Sequence, residues 1–243
     1  MPPEPHRPLQ VERLGRVPYG PMLALQEARH AEIVNGAAAD TLFLLEHQPV
    51  VTLGKNSGAD HLLVSREALA ARGVELFVAS RGGDVTFHGP GQVVGYPVIR
   101  LGDGEQDVKR YVTHLEEIMI ATAAEYGVTA TRVDGLRGIF VGQNKIGAVG
   151  VRVAKWVTLH GFALNVAREV PGFELIVPCG LHGRGVTSIG REAGFEPPIA
   201  EVMDHLARHA ASVLTRRGVD CTPTTLPSSP LSVAAAKPPE VSA

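Results

Sequence analysis

Hydrophobic and polar positions along the chain follow two periods, and their order predicts the elements. LQVERLG reads as a first strand, and PMLALQEARHAEIVNG predicts a helix with Pro21 in its first turn and Gly36 past its end. TLFLLEH and VVTLGK predict a strand pair interrupted at Gln48-Pro49, because branched and aromatic side chains suit a pleated surface. SREALAARG predicts a short helix capped by Ser65, with Glu67 and Glu75 in solvent. VELFVAS is a strand running into RGGDVTFHGPGQ, and QVVGYPVIRL leaves that segment as another.

DVKRYVTHLEEIMIATAAEYG places Val108, Tyr111, Val112, Leu115, Ile118 and Met119 on one helical face and gives Lys109, Arg110, Glu116 and Glu117 to solvent. Short strands follow in RVDGLRGIFVGQ, KIGAVGVRVAK and WVTLHGFALNV. A last helix, PIAEVMDHLARHAASVLTRRG, repeats Ile199, Val202, Met203, Leu206, Ala210, Val213 and Leu214 at helical spacing. From Cys221 onward the chain is rich in Pro, Ser, Thr and Ala without periodic burial, which predicts a mobile tail and an inert Cys221. Strands between Thr131 and Val166 follow one another without crossover helices, so the expected class is α+β, a mixed sheet with packed helices, rather than a doubly wound fold. One domain is expected over residues 9–218, with 1–8 and 219–243 as flexible termini.

Composition narrows the function classes. With 23 Lys+Arg against 25 Asp+Glu, the net charge of -2 offers no global reason to bind nucleic acid or an anionic membrane. The opening MPPEPHRPLQ is neither a signal peptide nor an anchor, so a cytoplasmic location is expected. Two cysteines make no disulfide framework, which leaves both as thiols in a reducing compartment.

Four stretches can carry chemistry. RGGDVTFHGPGQ has glycines at 82, 83, 89 and 91, which let a ligand approach the main chain or simply turn the chain tightly between strands. It matches neither GxGxxG nor the GxxxxGK[ST] loop. Within it His88 could exchange protons near neutrality, and Asp84 could hold backbone amides or Arg81. Lys145 begins a strand on which Lys145, Gly147, Val149 and Val151 share a face; it is either solvated or a proton carrier whose pKa partial burial lowers. In WVTLHGFALNV, alternation puts Trp156, Thr158 and His160 on one face, before Gly161 allows a bend; His160 either orients a catalytic group or satisfies a carbonyl inside the sheet. In VPCGLHG, Cys179 is a nucleophile, a metal ligand with His182, or a small hydrophobe. No second close Cys or His pair and no HExxH supports zinc, and GxSxG is absent.

Taken together, RGGDVTFHGPGQ, NKIGAVGVRVAKWVTLHGFALN and VPCGLHGRGVTSIG resemble the octanoyltransferase family of lipoate biosynthesis, from about Leu9 to Leu214. The resemblance implies the fold of the lipoate and biotin protein ligases, which shares its catalytic core with class II aminoacyl-tRNA synthetases. It implies transfer of an octanoyl group from octanoyl-acyl carrier protein to a lysine of lipoyl domains in 2-oxo acid dehydrogenase complexes or the glycine cleavage H protein. Neither ATP nor metal is implied as a cofactor, and a monomer is expected. The catalytic cysteine and lysine of the family match Cys179 and Lys145, which sets His182 aside as a base. Supporting roles are expected from Arg81, Gly82, Gly83, Asp84, His88, Gly89, Gly91, Gly147, Val149, His160, Gly161 and Gly180, with amides of the glycine-rich loop or Gly180 as oxyanion donors. Arg81, Arg137, Arg152, Lys155 and Arg184 are candidate contacts for the acidic carrier protein. An ATP-dependent lipoate or biotin ligase on the same fold and a noncatalytic acyl-binding module are the alternatives.

Overall fold

A computed structural model describes residues 7–55, 57, 61–177 and 184–226. In chain order its first half comprises β1 (Pro8–Val17), α1 (Tyr19–Val34), β2 (Asp40–His47), β3 (Val50–Leu53), α2 (Arg66–Ala71), β4 (Glu75–Val78), β5 (Thr86–His88) and β6 (Gln92–Val98). The second half comprises α3 (Val108–Ala124), β7 (Ile139–Val141), β8 (Asn144–Ala154), β9 (Val157–Asn165), α4 (Ile189–Glu192), α5 (Ile199–Val213) and β10 (Arg217–Asp220).

The unbroken apolar run of β2 explains the layering, since a strand with no polar alternation must be covered on both faces. Leu42 and Leu44 enter a core shared with Leu115 and Met119 of α3 and Leu206 of α5, while Phe43 and Leu45 enter a second core with Met22, Leu25 and Ile33 of α1. The main sheet therefore lies between α3 and α5 on one side and α1 on the other. Its order is β10-β1-β2-β6-β9-β8-β7, with β10, β1 and β2 parallel and the rest antiparallel. A smaller sheet, β4-β3-β5, carries a third core with Leu69 of α2. This is the expected mixed α+β class.

The Ser65 cap occurs where the sequence places it, and α3 has one in Asp107 that the sequence reading did not name. Ser65 Oγ accepts from Ala68 N at 3.2 Å, and Asp107 Oδ1 from Arg110 N at 3.0 Å.

Several expectations fail for nonlocal reasons. β2 and β3 do not pair with each other, because the chain leaves the main sheet at Gln48-Pro49 and enters the smaller one. Val108 is 41 % exposed, and Glu116, expected in solvent, is 4 % exposed. The chain from Arg132 to Gly138 folds back over α3, so that Glu116 Oε1 accepts from Gly138 N at 2.9 Å and Oε2 from Arg132 Nε at 3.1 Å. Trp156 is not part of a strand face, since Lys155 and Trp156 form the β8–β9 turn with positive φ. The regular structure also extends past residue 218: β10 pairs with β1, Cys221 N donates to Val11 O, and Thr224 N donates to Glu12 Oε2.

Lys145 and Gly147 do not share a face. β8 carries one extra residue opposite β7, where Ile139 pairs with Gly147 but Phe140 with Lys145, and such a bulge resets the alternation. Gly147 consequently faces α3, where a Cβ would come within 2.8 Å of Met119 Sδ. Lys145 instead pairs with Phe140 and reaches a cavity.

Candidate active site

That cavity, about 350 Å³, lies along β8 and β9 and is closed by α1, β6 and the glycine-rich segment. Lys145, Ala148 and Gly150 line it from β8, His160 to Ala163 from β9, Tyr19 from α1, and the turn Gly135–Leu136–Arg137 borders it, with Arg137 exposed. Glycines let its walls pack closely: a Cβ at Gly150 would come within 3.0 Å of Arg81 Cδ, and one at Gly161 within 2.1 Å of Gly95 O.

The glycine-rich segment is held as a wall. Arg81, expected as a carrier-protein contact, is buried, with Nη2 donating to Thr52 O and Thr52 Oγ1, each at 2.8 Å. Gly82 N donates to Val151 O at 2.9 Å, and Gly91 N to Glu46 Oε1 at 2.6 Å, so these two amides are engaged and do not serve as oxyanion donors. Gly83 borders the cavity in a positive-φ conformation. Gly89 packs on Phe87, whose ring would be 2.7 Å from an added Cβ. Asp84 accepts from Val85 N at 2.6 Å, as expected of an amide holder, but its second oxygen faces His61 Nδ1 at 2.6 Å rather than Arg81.

His88 was expected to exchange protons near neutrality; burial, aided by the nearby His47 and Arg81, pushes its pKa down to about 3, so it stays neutral. Its Nδ1 donates to Gln92 Oε1 at 2.7 Å, Gln92 Nε2 donates to Asn165 Oδ1 at 2.9 Å, and Asn165 Nδ2 donates to Thr187 O at 2.9 Å. Thr187 N in turn donates to Lys145 O at 2.9 Å. A buried polar chain thus runs from the glycine-rich wall to the lysine strand. Burial likewise lowers His160 to about 3; its backbone N–H donates to Gln26 Oε1 at 3.0 Å and its ring Nε2 lies 3.3 Å from Ser80 Oγ. Val149 packs on the main core and also lines the cavity.

Lys145 is 7 % exposed, and its Nζ lies 5.6 Å from the centroid of the Phe140 ring, which Arg184 shares at 5.6 Å. Lys145 N donates to Gly185 O at 2.9 Å, so residues 185–187 run beside it as a parallel bridge. Upstream, Val177 N donates to His61 O at 2.9 Å, next to Asp84. Cys179, Gly180 and His182 lie outside the described residues. Among the described residues there is no group of three or more metal-ligating side chains, and no helix is long and apolar enough to cross a membrane.

Sequence reasoning missed Tyr19, Tyr96, His61, Gln92, Asn165 and Thr187. Gln92 and Asn165 left a trace, as polar residues bounding apolar strand runs, whereas Tyr19 meets the cavity only through the docking of α1.

Comparison with known proteins agrees with this arrangement. The lipoyl protein ligase A/B catalytic domain family matches residues 18–211. The chain is 45% identical over 217 residues to an octanoyltransferase of Chloroflexus aggregans, covering 88% of this chain and 98% of that one. It is 45% identical over 203 residues to an octanoyltransferase of Solibacter usitatus, covering 84% and 91%. Among solved structures, a lipoate-protein ligase A bound with ATP superposes with a TM-score of 0.72 at 18% identity, over 88% of this chain and 89% of that one, a likeness of fold. With a family match that takes in both cavity walls and relatives aligned over nearly their whole length, the chain belongs to the octanoyltransferase family of acyltransferases within the lipoyl protein ligase A/B catalytic domains.

Proposed function

We propose that this enzyme transfers an octanoyl group from the thioester of acyl carrier protein to a lysine of lipoyl domains, in 2-oxo acid dehydrogenase complexes or the glycine cleavage H protein, through a thioester on Cys179. The observation that carries this reading is the anchoring of both flanks of residues 178–183 at one cavity. Val177 is tied to His61 beside Asp84, and residues 185–187 are hydrogen-bonded to the backbone of Lys145. These anchors, one on each side of the sequence stretch that holds Cys179, are what supports pairing it with Lys145.

The cations of Lys145 and Arg184, gathered over Phe140, favour a thiolate at a neighbouring cysteine. The Cys179 sulfur attacks the carbonyl carbon of the carrier thioester, the carbon–sulfur bond to the carrier breaks, and Lys145 returns a proton to the departing thiol. In the second half, Lys145 takes a proton from the acceptor ammonium. The amine attacks the acyl-cysteine, the carbon–sulfur bond to Cys179 breaks, and the second nitrogen proton leaves to solvent, giving the amide, the Cys179 thiolate and a protonated Lys145. A thioester is replaced by a thioester and then by an amide, so neither half requires a nucleotide. Exposed Arg137 borders the same cavity as Lys145 and fits an acidic carrier.

Intact-protein mass after incubation with octanoyl-carrier protein, without ATP or acceptor, tests the proposal. An added octanoyl group is expected, absent in Cys179→Ala and strongly reduced in Lys145→Ala. No adduct with an active donor, or an adduct that persists in Cys179→Ala, defeats it, and a requirement for ATP favours a ligase.

A further inference from the structure

His88 and Lys145 line the same cavity, and Thr86, two residues before His88 on β5, borders with Lys145 the smaller recess beside it. β5 and the lysine strand are thus two walls of the space in which acyl transfer is proposed. Hydrogen-bond direction fixes what His88 offers there. A backbone carbonyl can only accept, so Thr187 O orients the Asn165 amide, and Phe87 O with Asn165 Oδ1 orients that of Gln92. Gln92 Oε1 is left toward His88 Nδ1, which must carry the proton, and Nε2 keeps its lone pair. The Tyr96 hydroxyl, another group of this cavity, is not available to that lone pair. His47 Nδ1 donates to Val17 O at 3.0 Å, so His47 Nε2, 2.8 Å from Tyr96 Oη, takes the Tyr96 proton. Nothing among the described residues bonds His88 Nε2, and unlike Tyr19 Oη and His160 Nδ1 it is not sealed from solvent. Burial holds His88 down to about 3, so at neutral pH it is a hydrogen-bond acceptor rather than a base.

We infer that His88 Nε2 accepts an N–H of the incoming lysine amine and so serves the second half of the reaction alone. This inference rests on the acyl-transfer reading of the same cavity. In the first half the reacting atoms are a thiolate, the carbon and oxygen of a thioester, and a departing sulfur, and none of them brings an N–H. In the second half, once Lys145 has taken one proton, the amine keeps two N–H bonds while its lone pair attacks the acyl carbon. The nitrogen becomes positive as that bond forms. A fixed acceptor on one N–H aims the lone pair and stabilises the growing charge. A hydrogen bond to a charged group changes a rate by roughly ten- to 150-fold when it is lost. His88 takes no proton in this role; the second nitrogen proton leaves to solvent as described above.

Separating the two halves tests this role. Octanoyl-enzyme is formed from octanoyl-carrier protein, isolated, and discharged either to the lysine of an apo lipoyl domain or back to the carrier thiol, whose reacting atom has no N–H. In His88→Asn the shorter amide keeps an N–H in reach of Gln92 Oε1 while the Nε2 acceptor is lost. Transfer to lysine is expected to fall at least tenfold, with acylation and discharge to the carrier thiol staying within threefold of the wild type. Equal losses toward lysine and toward thiol would make His88 a shaper of the cavity and overturn the role, as would unchanged transfer to lysine in folded His88→Asn. Failure of the transferase reading looks different: the wild type itself forms no octanoyl-enzyme with an active donor, and the role of His88 falls with it.

Discussion

The buried carboxylate of Glu116 ties the turn that borders the cavity to the helix beneath it. It accepts from the backbone of Gly138 and from Arg132, so removing it strands an amide N–H in the interior. Glu116→Ala is expected to cost about 2 kcal/mol in urea unfolding. The Michaelis constant should also rise, because the preceding residues Gly135 to Arg137 flank the cavity. Glu116→Gln retains an acceptor for Gly138 and should recover at least half of the stability; equal losses in both variants would show that the charge, rather than the amide contact, matters. Helical periodicity suggested nothing of this. Glu116 and Glu117 are indistinguishable by pattern, and only the return of the chain at Arg132 separates them.

Among the elements, the polar chain His88–Gln92–Asn165–Thr187 crosses between β5, β6, β9 and the segment beside Lys145. Asn165 is a positioning residue: its amide both accepts from Gln92 and donates to Thr187 O. In Asn165→Asp the donor is replaced by an oxygen facing Thr187 O. Misplacement of this order slows reactions ten- to a hundredfold, so single-turnover acylation should fall by about that factor with octanoyl affinity nearly unchanged. A matched loss of affinity and rate would mean that the chain shapes the cavity rather than the reacting groups. The α5 face and the cap of α2 were legible because they depend on neighbours three or four residues away. The β8 bulge was not, because it exists only in the pairing with β7, and it moved Lys145 off the face that strict alternation assigned.

At the scale of the whole molecule, three histidines are folded into sites that oppose their charge. Burial lowers His47 to about 4 and His88 and His160 to about 3, against an unfolded value near ~6.5. Below that unfolded value the unfolded chain binds protons that the folded one refuses. Stability is therefore full above pH ~6.5 and declines as pH falls toward the folded values, by about 1.4 kcal/mol per pH unit for each histidine. Urea midpoints should fall progressively from pH 7.5 to pH 5, and calorimetric unfolding near pH 5 should take up close to three protons from these sites. A midpoint that stays flat over that range would show that the imidazoles are protonated in the fold.

By itself the order of apolar periods determined the helices, most strands and the mixed α+β class, because those patterns record which side of a local element meets the core. The three long motifs carried the family and pointed to Cys179 and Lys145. Tertiary structure alone decided that Arg81 is an anchor, that His88 is kept neutral, and that Tyr19 and His160 line one cavity. The physical reason is that burial and hydrogen-bond partnership depend on distant segments: Thr52 holds Arg81, Gln92 holds His88, and α1 carries Tyr19 to a wall built from β8 and β9.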